Sequence, residues 1–248
     1  MIFRQLVEPD SSTYTYLLGC PDTRRAILID PVLETADRDL AALHELGLTL
    51  SITLETHIHA DHVTAASRLR SLTGCQVAVP AAAGASCADI PVREGMPVEV
   101  GSFRLQPLFT PGHTDDHHSY VLAEPGGARV FTGDALLIDG CGRTDFQNGD
   151  AATLYRSVHA KLFTLPEDCL VFPAHDYSER RVSTIAQERA RNPRLGAGVG
   201  IDAFTGIMAR LDLPYPKRID VAVPANRRCG APAGATEPGE PVAPYDQG

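Results

Sequence analysis

The sequence predicts an α/β fold, a four-layer αβ/βα sandwich, on three observations. Each half of the chain begins with strand-like runs. Strand–helix alternation then follows. Just past the ends of four predicted strands stand His or Asp residues able to bind metal, the first group being Thr56-His57-Ile58-His59-Ala60-Asp61-His62.

In chain order, residues 2–7, 14–19 and 26–31 read as short strands. Pro9-Asp10-Ser11 and Pro21-Asp22 turn the chain between them, so the three pair as an antiparallel meander. Thr35 can cap a helix carrying Leu40, Leu43 and Leu46, which Gly47 ends. A strand at 50–55 leads into the His/Asp loop. The loop leads into a helix with Val63, Ala66, Leu69 and Leu72 on one face, stopped by Thr73-Gly74. Gln76 to Val79 is another short strand. Ala81 to Cys87 is rich in small residues and carries no assignable pattern.

The second half repeats this grammar. Strands are expected at 98–100, 103–109, 119–122 and 129–131, punctuated by Gly101 and the Pro125-Gly126-Gly127 turn. Helices are expected at 151–162, 178–191 and 201–212, with a buried strand at 168–172. Residues 1–229 thus form one domain. The Pro-, Gly- and Ala-rich stretch 230–248 has no apolar period and is expected to be a disordered tail.

Composition excludes some classes of function. The net charge of −9 and pI near 5.4 leave no basic footprint for nucleic acid or anionic membrane. No apolar run reaches the length that crosses a bilayer. The N-terminus starts directly in strand-like sequence without a secretory signal. The six cysteines (Cys20, Cys75, Cys87, Cys141, Cys169, Cys229) form no C-x-x-C pair. They are expected to be reduced thiols in a cytoplasmic setting.

Alternate residues of an extended segment point the same way, so His57 and His59 can converge on one ion. Asp61 and His62 follow near a helix start. Three later motifs add donors at strand ends: Thr110-Pro111-Gly112-His113-Thr114, Thr132-Gly133-Asp134 and Pro173-Ala174-His175-Asp176. One such histidine would be an ordinary structural residue. Four groups together, one spaced H-x-H-x-D-H, point to a metal site at one edge of the sheets.

These motifs together resemble the metallo-β-lactamase fold superfamily. In its two-metal members, such as glyoxalase II, the resemblance places a first ion on His57, His59 and His113. A second falls on Asp61, His62 and His175, with Asp134 bridging. The resemblance narrows through Gly133-Asp134-Ala135-Leu136-Leu137, Gly140-Cys141-Gly142-Arg143-Thr144-Asp145-Phe146, Asn192-Pro193-Arg194-Leu195 and Val223-Pro224-Ala225-Asn226. These are similar to the persulfide dioxygenase (sulfur dioxygenase) family over residues 10 to 230 or so. That likeness implies one non-haem Fe(II) on His57, His113 and Asp134, a facial triad with open positions. His59, Asp61, His62 and His175 then support catalysis around it. The implied reaction takes glutathione persulfide, O₂ and water to sulfite and glutathione. The resemblance also allows for a homodimer.

Glutathione has two carboxylates and calls for cationic forks and hydroxyl donors. Arg143, Tyr177, and Arg227 or Arg228 are the candidates, and Cys141 can line the channel. The chain departs from many relatives after His113-Thr114, where it has Asp115-Asp116-His117-His118. This segment is expected to be a solvated loop. Three rival functions remain. A dizinc glutathione thioester hydrolase shares every ligand type. A degenerate binding module would have lost ligands that this chain keeps. A β-lactam hydrolase would carry an export signal.

Overall fold

Strand periodicity sorts the apolar residues into two faces, and the fold follows from how those faces are covered. The computed structural model describes residues 1–178 and 180–232. The first sheet joins β1 (Ile2–Glu8), β2 (Thr13–Gly19), β3 (Arg25–Ile29), β4 (Thr49–Leu54), β5 (Gln76–Pro80) and β6 (Ile90–Val92), in that spatial order. The second joins β7 (Val98–Val100), β8 (Phe103–Phe109), β9 (His118–Glu124), β10 (Gly127–Gly133), β11 (Leu170–Pro173) and β12 (Ser183–Thr184). The first three strands are antiparallel, as their turns predict, and β3 to β6 run parallel.

In β2, Tyr14, Tyr16 and Leu18 face the second sheet, while Leu17 faces outward. The inner face meets Leu105, Tyr120, Leu122, Phe131 and Phe172 of the second sheet. The rings of Tyr16, Phe131 and Phe172 lie 5.0–5.7 Å apart, a geometry worth about 1 kcal/mol per pair beyond area burial. The outer face of the first sheet is covered by α1 (Ala36–Glu45) and α2 (Ala66–Thr73) through Leu43 and Leu69. That of the second is covered by α3 (Ala151–Ser157), α4 (Ile185–Arg191) and α5 (Ile201–Ala209) through Leu154, Ile185 and Phe204. This is the four-layer αβ/βα sandwich that the sequence predicts.

Three elements differ from the sequence reading. The expected 178–191 helix is helical only from Ile185. Asp176 accepts the main-chain N–H groups of Ser178 and Arg180, which bends the chain back. Ser183 and Thr184 then pair with β11 before Thr184 caps α4 by accepting from Gln187 N. The helix expected from Val63 starts at Ala66, because Thr64 is held in a bridge to Val32. The helix expected over 151–162 is α-helical to Ser157 and widens into a π-type turn over Val158–Leu162.

A further helix, α6 (Ile219–Asn226), has no counterpart in the sequence reading. It contains Pro224, a residue that normally argues against a helix. Its last residue, Asn226, is buried and reaches the loop between β4 and α2. Nδ2 donates to His59 O and His62 O at 2.9 and 2.8 Å, and Oδ1 accepts Thr64 N at 2.9 Å.

Just beyond α6, Cys229 forms a disulfide with Cys87. This corrects the expectation of six reduced thiols. The partners are 142 residues apart and meet only because α6 docks beside the loop after β5, so no spacing rule could reveal them. Cys20, Cys75, Cys141 and Cys169 are free and buried. Among the described residues no helix is long and apolar enough to cross a membrane. The expected tail lies outside the described residues from 233 onward.

Truncating Asn226 would strand two carbonyls and one N–H in a dry site. We expect Asn226→Ala to lower unfolding stability by about 3 kcal/mol, since each orphaned buried group costs roughly 1–3 kcal/mol. Urea unfolding with a change below about 1 kcal/mol would show that the clamp carries no weight.

Candidate metal centre

The donors converge because each sits where a strand ends at the same rim. β4 runs into His57, His59, Asp61 and His62; β8 into His113; β10 into Asp134; β11 into His175. The two sheets are tied together at this rim. Tyr14 N donates to Ala174 O at 2.7 Å, Tyr16 Oη to Pro173 O at 2.5 Å, and Tyr120 Oη to Glu55 O at 2.6 Å.

One ligand atom each from His57, His113 and Asp134 lies within 4.8 Å of the other two. The histidine tautomers follow from their other partners. Thr56 Oγ1 donates its proton to Asp30 Oδ2 at 2.9 Å. It can therefore only accept from His57 Nδ1, 2.9 Å away. His113 Nδ1 lies 2.6 Å from the carbonyl of Arg143, which also only accepts. Both rings thus carry a proton on Nδ1, which leaves Nε2 as the nitrogen that can face an ion. Burial, then the imidazoles of His59, His113, His117 and His175, hold His57 well below the usual histidine range, so it is neutral and able to ligate. Asp134 Oδ1 is buried with no hydrogen-bond partner among the described residues. A buried carboxylate oxygen left bare beside two imidazole nitrogens fits a divalent cation.

A second donor group is His59, Asp61 and His62, again within 4.8 Å of one another. Here the structure departs from the expected second set of Asp61, His62 and His175. His175 Nε2 stands 3.6 Å from both Asp61 Oδ2 and Asp134 Oδ1, between the two groups and outside this cluster. His59 Nε2 lies 3.1 Å from Asp30 and 3.4 Å from Glu55. Burial opposes its charge, but the carboxylates of Asp30, Glu55 and Asp61 outweigh burial and hold it well above the usual range. Asp61 is depressed well below the usual carboxylate range. Burial opposes this, and His62 and His175 overcome it.

Asp30, Glu55 and Thr56 were missed by the sequence reading, and they hold the loop. Asp30 Oδ1 accepts Thr56 N at 2.7 Å, and Glu55 accepts Thr64 Oγ1 at 2.6 Å. The one available signal was the Asp-Pro at the end of β3, which a turn explains equally well.

A cleft of about 760 Å³ opens over the donors, lined by Asp61, His113, Asp134 and His175 at its base. Cys141, Arg143 and Tyr177 line it, as expected for substrate contacts. Arg143, however, is already engaged, with its guanidinium on both oxygens of Asp145, on Pro214 O and over the Phe146 ring. Tyr177 is exposed and stacks on His175. Burial pushes the Cys141 thiol up to about 11, so it is a neutral wall. Arg227 and Arg228 do not line the cleft. They follow α6, next to the Cys87–Cys229 disulfide, so the structure does not bring them to the cleft with the other substrate candidates. The expected solvated loop at 115–118 is also corrected, because Asp116, His117 and His118 are buried. Asp116 Oδ2 accepts Ile58 N at 2.9 Å, and His118 N donates to Thr56 O at 2.8 Å.

Comparison with known proteins agrees with this geometry. Residues 9–175 match the model of the metallo-beta-lactamase superfamily, and the chain belongs to it. Within that class it belongs to the persulfide dioxygenase family. It is 52% identical to the mouse (Mus musculus) protein named persulfide dioxygenase ETHE1, mitochondrial, over 93% of this chain and 89% of that one. A crystal structure of ETHE1 from Myxococcus xanthus superposes with a TM-score of 0.89 at 56% identity, covering 93% of this chain and 100% of the other. A hydroxyacylglutathione hydrolase from Rhodospirillum rubrum is more distant, at 35% identity over 78% of this chain and 74% of its own length.

Thr56→Val keeps the shape of the site and removes the hydroxyl that fixes His57. We expect metal affinity to fall about 10–100-fold, the usual effect of losing a partner of a ligand. Chelator competition reporting no loss would contradict the tautomer argument. The Cys141 thiol gives a pH signature. Its folded pKa of about 11 lies above the ordinary thiol value of 9.0. Between those values the unfolded chain binds fewer protons than the folded one, so stability falls as pH rises. Cys141→Ser should flatten that slope, and an equally steep decline in the variant would refute it.

Proposed function

We propose that this chain oxidises glutathione persulfide with O₂ and water to sulfite and glutathione, at one Fe(II) held by His57, His113 and Asp134. The observation that carries the reading is that donor set: two imidazoles and one carboxylate, mutually within 4.8 Å and open to a cleft. Family membership supports the reaction. When bound, iron supplies the redox chemistry that lets O₂ react with a closed-shell sulfur, which redox-inert zinc does not.

The remaining steps fall to the chain's own groups. The cleft directs the persulfide sulfur toward Asp134 and His113 at its base. The reaction consumes a water and releases protons. His175 Nε2, 3.6 Å from Asp61 and Asp134, is placed to take one, and Asp61, anchored by Thr13 Oγ1 at 3.1 Å, holds it there. His59 and His62 keep Asp61 ionised.

Binding the glutathione carboxylates needs a free cation. Arg143, Arg180 and Arg218 at the cleft are paired with Asp145, with Asp176 and Asp139, and with Glu34. Arg194 and Lys217 also line the cleft and have no ion-pair partner among the described residues; Arg194 is half-buried and donates to Cys141 O at 2.9 Å, so the exposed Lys217 is the freer of the two. We assign the carboxylate contact to Lys217, with Tyr177 as hydroxyl donor and Arg143 as a scaffold for the wall. A cytoplasmic location and a homodimer remain part of this reading, and the Cys87–Cys229 disulfide is the feature that stands against the former.

The second donor group, His59, Asp61 and His62, favours one rival: a two-zinc thioester hydrolase working through a metal-activated water. Metal content and an oxygen electrode separate the two. We expect one iron per chain and one O₂ consumed per sulfite formed from glutathione persulfide. Two zincs with thioester turnover and no oxygen uptake would overturn the reading. Lys217→Ala should raise KM for glutathione persulfide about tenfold, roughly 1.4 kcal/mol, at unchanged kcat. An unchanged KM would remove Lys217 from the site.

A further inference from the structure

Within the segment Asp115-Asp116-His117-His118, His117 packs against all three proposed ligands. Its ring is fully buried, just before β9. Nε2 lies 3.1 Å from the main-chain N of Asp134. The ring stacks on His57 with centroids 5.0 Å apart and stands edge-on to His113 at 6.2 Å.

A chain of hydroxyls determines which nitrogen carries the proton. Ser119 Oγ donates to Thr132 O at 3.3 Å, so toward Thr110 it can only accept. Thr110 Oγ1, 3.0 Å away, therefore donates to Ser119. That leaves Thr110 Oγ1 as the acceptor for His117 Nδ1 at 2.9 Å. With the proton on Nδ1, Nε2 has a lone pair and accepts the N–H of Asp134. With both nitrogens engaged, His117 is not itself a ligand, and it stands outside the metal-competent groups of the described residues.

Gly133 records the same constraint from the other side. Its φ of +51° is left-handed, and a Cβ there would sit 2.4 Å from His117 Nε2. The glycine lets β10 pass close enough for the next residue to donate to the ring.

We propose that His117 is the positioning residue of the metal triad: it anchors the main chain of Asp134 and backs the ring of His57, so the three donors are gathered before metal arrives. This rests on the reading that His57, His113 and Asp134 hold the ion. Asp116 and His118 pin the first ligand loop, and His117 pins the last ligand.

The test compares full-length wild type, His117→Gln and His117→Leu, each loaded anaerobically with Fe(II). Gln can place its amide oxygen where Nε2 stands and accept from Asp134, whereas Leu fills the space without an acceptor. Two readouts are taken: ferrous affinity by chelator competition, and the electron paramagnetic resonance of the nitric oxide adduct, which reports ligand geometry without turnover. Leu should weaken affinity about 10–100-fold and broaden the signal, while Gln stays within about threefold of wild type. Should circular dichroism show the Leu variant unfolded, Asn, polar but one bond too short to reach Asp134, takes its place with the same expectation. A Leu or Asn variant with wild-type affinity and signal, or a Gln variant as weak as Leu, overturns the role of His117 alone. A wild type that holds no single ferrous ion overturns the metal reading, and this role with it.

Discussion

The buried carboxylate of Asp30 is the contact on which the metal edge depends. It stands at the end of β3 with a positive φ of +50° and is 1% exposed. One oxygen takes the N–H of Thr56 and meets His59; the other takes the Thr56 hydroxyl. A carboxyl group so deeply buried is costly unless it is hydrogen-bonded, and its three bonds all fall on the loop that carries four donor residues. Through Thr56 the same carboxylate decides which nitrogen of His57 faces the site. Fold and chemistry therefore share one interaction: the parallel pairing of β3 with β4 brings Asp30 to that loop, and Asp30 makes the loop a metal ligand.

Around this anchor the site is held from three further directions. Asn226 clamps the loop from α6, whose end is stapled by Cys87–Cys229. Asp116 and His118 hold it from the start of β9. His117 holds Asp134 from behind. Such convergence of rigid strand ends gathers two imidazoles and a buried carboxylate oxygen at one point. The energetic cost of that arrangement is offset by the aromatic core between the sheets, where Tyr16, Phe131 and Phe172 pack below the rim.

Much of this was legible in the sequence, for physical reasons. Alternation with period two exposed the strands, and the repeated placement of His or Asp after a strand exposed the edge where they gather. What stayed hidden depended on partners distant in the chain. The 178–184 segment has helical composition, yet Asp176 turns it and β11 captures it. Helix α6 carries an internal proline and is stabilised by docking through Asn226. Cys87 and Cys229 give no pairwise signal at a separation of 142. Asp116 and His117 read as solvated because local polarity says nothing about burial. Arg143 looked like a substrate fork, but two residues later Asp145 satisfies it.

The central claim is that one ferrous ion sits on His57, His113 and Asp134. Anomalous diffraction from crystals of protein purified without added metal, collected on both sides of the iron and zinc edges, tests it most directly. The account predicts one peak per chain, rising at the iron edge and in contact with those three side chains. Two peaks at the zinc edge, the second against His59, Asp61 and His62, would contradict it.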